Sequence, residues 1–374
     1  MIPFNKPYLH GDELLYIAQA TKGGKISGDG IFTKKCHEFF ESKYNFKKVL
    51  LTTSCTDALE MAAILLDIKP GDEVIAPSYT FVSTVNAFTL RGATVVFADS
   101  YTNNPNVDPC SIRALITPQT KAIVVVHYAG VACDMDEILA ISEEYNIPIV
   151  EDAAQAIDSY YKGRPLGSMG AFGTFSFHET KNIISGEGGM LVINDEKYIK
   201  RAEIIREKGT NRSSFFRGEV NKYGWVDIGS SFLPSDIIAA YLYAQLEHMD
   251  LIQNKRKELW QRYYEKLAPL AEKGAIHLPV IPEYTTNNAH MFYILCDNIN
   301  VRTDLIKYLK DNGVHAVFHY LSLNKSDYYL ADNNSINLEN SDAFTDNLLR
   351  LPLFYELTLE QVDYICSKIT SFFS

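Results

Sequence analysis

At 374 residues, 47% of them hydrophobic and 22% charged, the chain has a globular composition and is long enough for one large domain plus a smaller one. Its formal net charge of -11 disfavours general nucleic-acid binding, which shows a basic footprint, yet a local cluster of donors can still hold an anionic small substrate. No apolar run approaches the ~20 residues of a membrane helix, and the opening MIPFNKPYLHGDELL lacks the layout of a signal peptide, so a cytoplasmic protein is expected.

From about residue 49 to 200, short β-branched runs alternate with helical patterns. The strand candidates are VLLTTS (49–54), EVIAPS (73–78), ATVVFADS (93–100), AIVVVHYAG (122–130), IPIVEDAAQ (147–155), FGTFSFH (172–178) and GMLVIND (189–195). Segments such as TDALEMAAILLDI and DMDEILAISEEYN read as helices between them. This alternation predicts an α/β fold with a mainly parallel sheet covered on both faces. Residues 233–270 read as helical, ELWQRYYEKLAPLAEKG crosses a domain boundary, and HMFYILC and HAVFHYLSL read as later strands. The expected division is a large domain over 12–254 and a smaller α+β domain over 255–374, joined by 1–11. The cysteines Cys36, Cys55, Cys110, Cys133, Cys296 and Cys366 form no C-x-x-C pair, which argues against a zinc site or a disulfide framework.

In such sheets the loops leaving the carboxyl ends of the strands build the ligand site. Three of these loops carry suggestive residues. In TTSCTDALEM, Ser54, Cys55 and Thr56 stand where a helix begins, and free amides there suit a phosphate. An ordinary helix cap uses the same residues. In IPIVEDAAQA, Asp152 follows a buried strand, where a carboxylate needs a partner; a pyridinium nitrogen or a structural ion pair would serve. In FGTFSFHETKNIISGEGGMLV, Ser176 is a second hydroxyl for phosphate, and Lys181 precedes the glycines Gly186, Gly188 and Gly189. A lysine amine there can form a Schiff base with a carbonyl cofactor and then shuttle protons, although lysines more often lie at solvated surfaces.

The order of these features, with SFHETK and GEGG and with flanks IPFNKPYL and LRLPLFYEL, resembles the DegT/DnrJ/EryC1/StrS sugar aminotransferases along essentially the whole chain. The resemblance implies the type I (aspartate aminotransferase) fold with a seven-stranded, mostly parallel sheet, and pyridoxal phosphate (PLP) as cofactor. It implies Lys181 as covalent anchor and proton carrier, Asp152 at the ring nitrogen, Gln155 at the ring hydroxyl and Phe81 against the ring face. Ser54, Cys55, Thr56 and Ser176 would hold the phosphate. Much of the family carries an asparagine, in a G-x-N-Y-R-like stretch, that reaches the neighbouring subunit's phosphate; DIGSSFLPSD places Ser231 there, and a site shared in this way requires a homodimer.

Some relatives replace the lysine by histidine and dehydrate sugars, but Lys181 is retained here, which leaves His178 as a pocket residue. His127, His290 and His319 lie beside tyrosines in apolar runs and are further pocket candidates. The segments GDGIFTKKC, LLDIKPGDEVIAPSYTFVSTVNAF, VVHYAGVACDMD, REKGTNRSSFFRGEV and RLPLFY resemble the subgroup acting on carbon 4 of TDP-4-keto-6-deoxyglucose. Glutamate would donate the amine, leaving pyridoxamine phosphate (PMP), and the keto-sugar would accept it as TDP-4-amino-4,6-dideoxygalactose. Arg212, Arg217 and Lys222 are candidates for the diphosphate, with a solvated charged loop as the alternative. Transfer with the opposite configuration at carbon 4, transfer at carbon 3 and a non-catalytic sensor remain the competing readings. No G-x-G-x-x-G follows the first strand, which sets a Rossmann dehydrogenase aside.

Overall fold

The computed structural model describes residues 1–374. Seven apolar runs form one sheet: β1 (Val49–Thr52), β2 (Glu73–Pro77), β3 (Thr94–Ala98), β4 (Thr120–Val126), β5 (Ile149–Asp152), β6 (Phe172–Ser176) and β7 (Gly189–Ile193). Their spatial order is β1-β7-β6-β5-β4-β2-β3. Pairing is parallel from β6 through β5, β4 and β2 to β3, and β7 runs antiparallel to both its neighbours. The seven strands expected from the sequence are thus all present, in a mostly parallel sheet.

Both faces of this sheet are buried, which is why its strands read as continuous apolar runs. Ile123, Val125 and Ile149 enter one apolar layer, while Ala122, Val124 and Val150 enter the other. The period of two continues to the end of β5, sending Glu151 and Asp152 to opposite faces. Glu151 accepts the amides of Gly167, Met169 and Gly170 at 2.8, 2.6 and 2.6 Å, closing the loop before β6. Burial opposes its charge, while His127 and the amides of Gly170 and Gly167 outweigh that and hold its carboxyl below the usual range. Asp152 is left for the other face.

The helices that frame the site are α1 (Asp12–Lys22), α2 (Ile31–Tyr44), α3 (Cys55–Leu65), α4 (Ser83–Thr89), α5 (Asp236–Glu247) and α6 (Met249–Glu272). The start of α2 lacks a side-chain cap of its own. Asp236 of α5 supplies one, accepting from the Thr33 amide and hydroxyl at 2.8 Å each and from the Phe32 amide at 3.3 Å. Gly30 permits this approach, since a Cβ there would lie 2.3 Å from the Asp236 carboxyl carbon.

A second, smaller sheet contains β8 (Phe292–Leu295), β9 (Val317–Phe318) and β10 (Leu348–Leu351) in the antiparallel order β8-β10-β9. Its core joins Leu259 and Tyr263 of α6, Ile365 and Ile369 near the C-terminus, and Ile2. Two details depart from expectation. HAVFHYLSL yields only a two-residue strand, because His319 and Tyr320 leave the sheet to line the main cavity. The LRLPLF segment supplies the central strand, ended by Pro352, which has no N–H to donate. No helix is long and apolar enough to cross a membrane.

Candidate active site

The carboxyl ends of β5 and β6 and the starts of α3 and α4 surround a cavity of about 560 Å³. One end of it is built by the start of α3. Ser54 has extended backbone angles and its Oγ accepts the Asp57 amide at 3.0 Å, so the helix is capped at that point. The amides of Cys55 and Thr56, in the first turn, have no acceptor within the helix and carry the positive end of its dipole. The Thr56 hydroxyl meets the Ser83 hydroxyl at 2.9 Å, and Ser176 lines the same cavity from the end of β6. Gly189 makes this cradle possible. A Cβ there would lie 2.2 Å from the Ser54 carbonyl carbon and 2.4 Å from the Cys55 nitrogen.

Deeper in, Asp152 is only 5% exposed. One oxygen accepts from the Thr84 hydroxyl at 2.7 Å and the other from the Ala154 amide at 3.1 Å; Thr84 in turn meets Thr80 at 2.8 Å. Burial raises the Asp152 carboxyl above its ordinary range, against the lowering influence of Thr84, Ala154 and Lys181. Lys181 lines the same cavity, and burial pulls its ammonium down to about 8, opposed by Cys55 and Asp152. Since burial also keeps the Cys55 thiol protonated, Asp152 is the operative counter-charge near neutral pH. Gln155 is locked by accepting the Ala129 amide at 2.6 Å and donating to the Tyr320 hydroxyl at 3.1 Å, which leaves one amide hydrogen free. Phe81 stands at the mouth, 54% exposed, with its ring centroid 5.9 Å from that of Tyr320.

A reactive amine, a buried carboxylate and a helix-start anion cradle in one cavity match a known family, whose sequence model covers residues 7–370. The chain belongs to the DegT/DnrJ/EryC1/StrS aminotransferase family. As such it is a PLP-dependent aminotransferase of the type I fold. It is similar to the aminotransferase TlmJ from Streptoalloteichus hindustanus, with 27% identity, 100% and 99% of the two chains covered, and a TM-score of 0.92. Spr1654 from Streptococcus pneumoniae, described as a sugar aminotransferase and solved in its PMP form, gives the same identity, coverage and TM-score of 27%, 100% and 99%, and 0.92. DesV from S. venezuelae, in complex with a ketimine intermediate, is 28% identical over 99% and 98% of the chains, with a TM-score of 0.90.

The aminotransferase's own residues fit the cofactor. The free amides at the α3 start suit a phosphate, and a buried carboxylate whose charge burial opposes suits a protonated ring nitrogen. Ser54, Cys55, Thr56, Phe81, Asp152, Gln155, Ser176 and Lys181 are all brought to the one cavity. So are His178, whose Nδ1 lies 2.9 Å from the Thr180 hydroxyl, and His319, whose Nδ1 lies 3.0 Å from the Tyr128 hydroxyl. Burial holds His319 well below its ordinary value, so its ring is neutral at physiological pH.

Other candidates lie elsewhere. His127 is fully buried between Glu151 and the Cys133 amide, at 3.0 and 3.2 Å, and His290 faces Asn182 at 2.9 Å; neither lines the main cavity. Ser231 and Lys222 are exposed and lie outside it. Arg217 is engaged by Glu203 at 2.8 Å and Glu219 at 2.7 Å, and Arg212 packs 5.2 Å over the Phe216 ring; both also lie outside the cavity of this chain. Thr80, Ser83, Thr84 and Tyr320 line the cavity without having been singled out in the sequence. The hydroxyls of PSYTFVST, spaced three and four apart just past β2, offered a signal for the first three; Tyr320 offered none.

Proposed function

We propose that this aminotransferase moves the amino group of L-glutamate to carbon 4 of TDP-4-keto-6-deoxyglucose, giving TDP-4-amino-4,6-dideoxygalactose for cytoplasmic synthesis of surface-polysaccharide precursors. The observation that carries the amino-transfer chemistry is Lys181, lowered to about 8, in one cavity with the buried Asp152. The sugar rests on the subgroup resemblance of GDGIFTKKC, VVHYAGVACDMD, REKGTNRSSFFRGEV and RLPLFY. The described neighbour Spr1654 supports a sugar acceptor.

When bound, PLP supplies the electron sink that makes a proton on the substrate carbon removable. The chain does the rest. Ser54, Thr56 and Ser176 hydroxyls and the Cys55 amide hold the phosphate. Asp152, its charge supported by Thr84 and Ala154, would pair with the ring nitrogen. The spare Gln155 hydrogen would serve the ring hydroxyl, and Phe81 would cover the ring and exclude water. Lys181 anchors the cofactor and, as a free amine, lifts a proton from one substrate carbon and returns it to another position. Ser231, Arg212 and Arg217 act across a homodimer, the serine toward the partner's phosphate and the arginines toward the sugar diphosphate. Trp225, 84% exposed on the same segment, supports that contact. The small domain spans 255–374 with 1–11, divided from the large one within α6.

The test is an NMR spectrum of the product formed from TDP-4-keto-6-deoxyglucose, excess glutamate and PLP. An axial amine at carbon 4 is expected. An equatorial amine or an unreacted sugar overturns the sugar assignment and leaves the cofactor chemistry intact.

A further inference from the structure

Away from the cofactor cavity, three metal-ligating side chains converge where the N-terminal segment enters α1. His10, Asp12 and His248 bring two ring nitrogens and a carboxylate oxygen within 4.8 Å of one another. Asp12 Oδ2 is the shared point, 3.1 Å from His248 Nε2 and 3.5 Å from His10 Nδ1. Donors around a tetrahedral ion at about 2.0–2.1 Å stand about 3.3–3.4 Å apart, so both separations fit one ion held between them.

The chain around the cluster holds its backbone in place. Glu13 is fully buried and accepts the His10 and Gly11 amides at 3.0 and 2.8 Å and the Gln245 side-chain amide at 2.6 Å. Gln245 also donates to the Tyr8 carbonyl at 2.9 Å. Gly11 turns the chain with a φ of 121°, which a residue with a side chain rarely adopts, and so sets His10 beside Asp12 at the first turn of α1. His248 is the single residue between α5 and α6. The side chains themselves are 24–41% exposed, which leaves an ion a path from solvent.

The two rings stack with 3.3 Å between centroids and 17° between planes. A parallel stack aims both lone pairs the same way, so an ion requires each ring to swing about its Cβ–Cγ bond. That torsion is broad, and partly exposed rings are free to make the turn. Two imidazoles and a carboxylate suit zinc and its transition-metal neighbours, whereas calcium and magnesium seek oxygen alone. The scattered cysteines gave no sign of such a site because it uses none of them, and Asp12 and His248 lie 236 residues apart.

We propose that His10, Asp12 and His248 bind a divalent transition-metal ion of the zinc type, which clips the N-terminal segment to the junction of α5 and α6. Three protein donors leave the remaining position of the ion to water. The clip acts at the back of the active site. Asn5, Lys6, Pro7 and Tyr8 line a narrow cleft with Glu179 and Lys181, and the Asn5 side-chain amide donates to the Glu179 carbonyl at 3.2 Å. A bound ion therefore steadies the strap behind the loop of the reactive lysine. None of its three ligands lines the cofactor cavity.

The test is calorimetric titration of the PLP-loaded protein with zinc chloride, after free PLP has been removed. One ion per chain is expected, with a Kd of about 10 μM or tighter. His10→Ala and His248→Ala each remove a direct ligand, so each should weaken binding by more than the roughly 10- to 100-fold that an outer-shell partner is worth. Equal affinity in wild type and both variants overturns the proposal, as does a wild type that takes up no ion at about 100 μM zinc. Hydrogen exchange of residues 1–11 should slow when zinc binds the wild type, and exchange left unchanged by bound zinc refutes the clip. Should the variants fail to fold, diethylpyrocarbonate labelling of the wild type replaces them. Zinc then protects His10 and His248 from modification, and unchanged labelling of both refutes the site.

Discussion

The depressed ammonium of Lys181 fixes how fast the empty protein captures its cofactor as pH is varied. Only the free amine attacks a carbonyl. With the group at about 8, roughly one molecule in ten carries a free amine at pH 7; an ordinary lysine near 10.5 would offer about one in three thousand. Burial thus raises the share of free amine at pH 7 about 300-fold over that of an exposed lysine. The capture rate is expected to rise about tenfold per unit up to pH 8 and then level off. Stopped-flow absorbance after mixing PLP with cofactor-free protein reads this directly, with a free lysine analogue correcting for the ionisation of PLP itself. Asp152 raises the Lys181 value, so Asp152→Asn should move the break to lower pH. A rate that keeps rising tenfold per unit to pH 10, or a break that moves upward in Asp152→Asn, would refute the reasoning.

Three further outcomes follow from single contacts. Thr84→Val keeps the shape but removes the 2.7 Å donor to Asp152; a hydrogen bond to a charged group is worth about 1.5–3 kcal/mol, so PLP should bind up to about 10- to 100-fold more weakly in equilibrium dialysis. The sign of its pH effect is also fixed: with one donor fewer the buried carboxylate takes up a proton at higher pH, so the acid limb of PLP affinity should shift upward, and a limb that stays put would exclude the role. Gly189→Ala pushes a Cβ against the Ser54–Cys55 backbone; it should cost about 1–3 kcal/mol of stability by thermal melting and loosen phosphate binding, and normal values for both would show that the strand can shift. Asp236→Ala strips the start of α2 of its cap and leaves the Phe32 and Thr33 amides unpaired, so chemical denaturation should show a loss of about 3 kcal/mol or more; a loss below about 1 kcal/mol would mean that water takes over.

What the sequence disclosed and what it withheld divide along a physical line. A strand buried on both faces must be apolar throughout, so the seven runs were visible, and the first residues past them were marked by small or charged side chains. Asp152 could be placed because a carboxylate at the end of IPIVED breaks an apolar run; Lys181 could be placed because of the glycines after it. Contacts made across the fold carry no such mark. Tyr320, 165 residues from the Gln155 it bonds, lies in an apolar run that read as a continuing strand. The small sheet was harder for the same reason: only four residues of LLRL pair, and their neighbours on β9 pair for two.

Ser231, Arg212 and Arg217 are the candidates that a single chain does not bring to the cavity, although local pattern suggested binding. For Arg217 the reason is explicit, because Glu203 and Glu219 already occupy its fork. Were it to grip a diphosphate, those ion pairs would have to be given up, and exposed pairs of this kind are worth about 1 kcal/mol or less each.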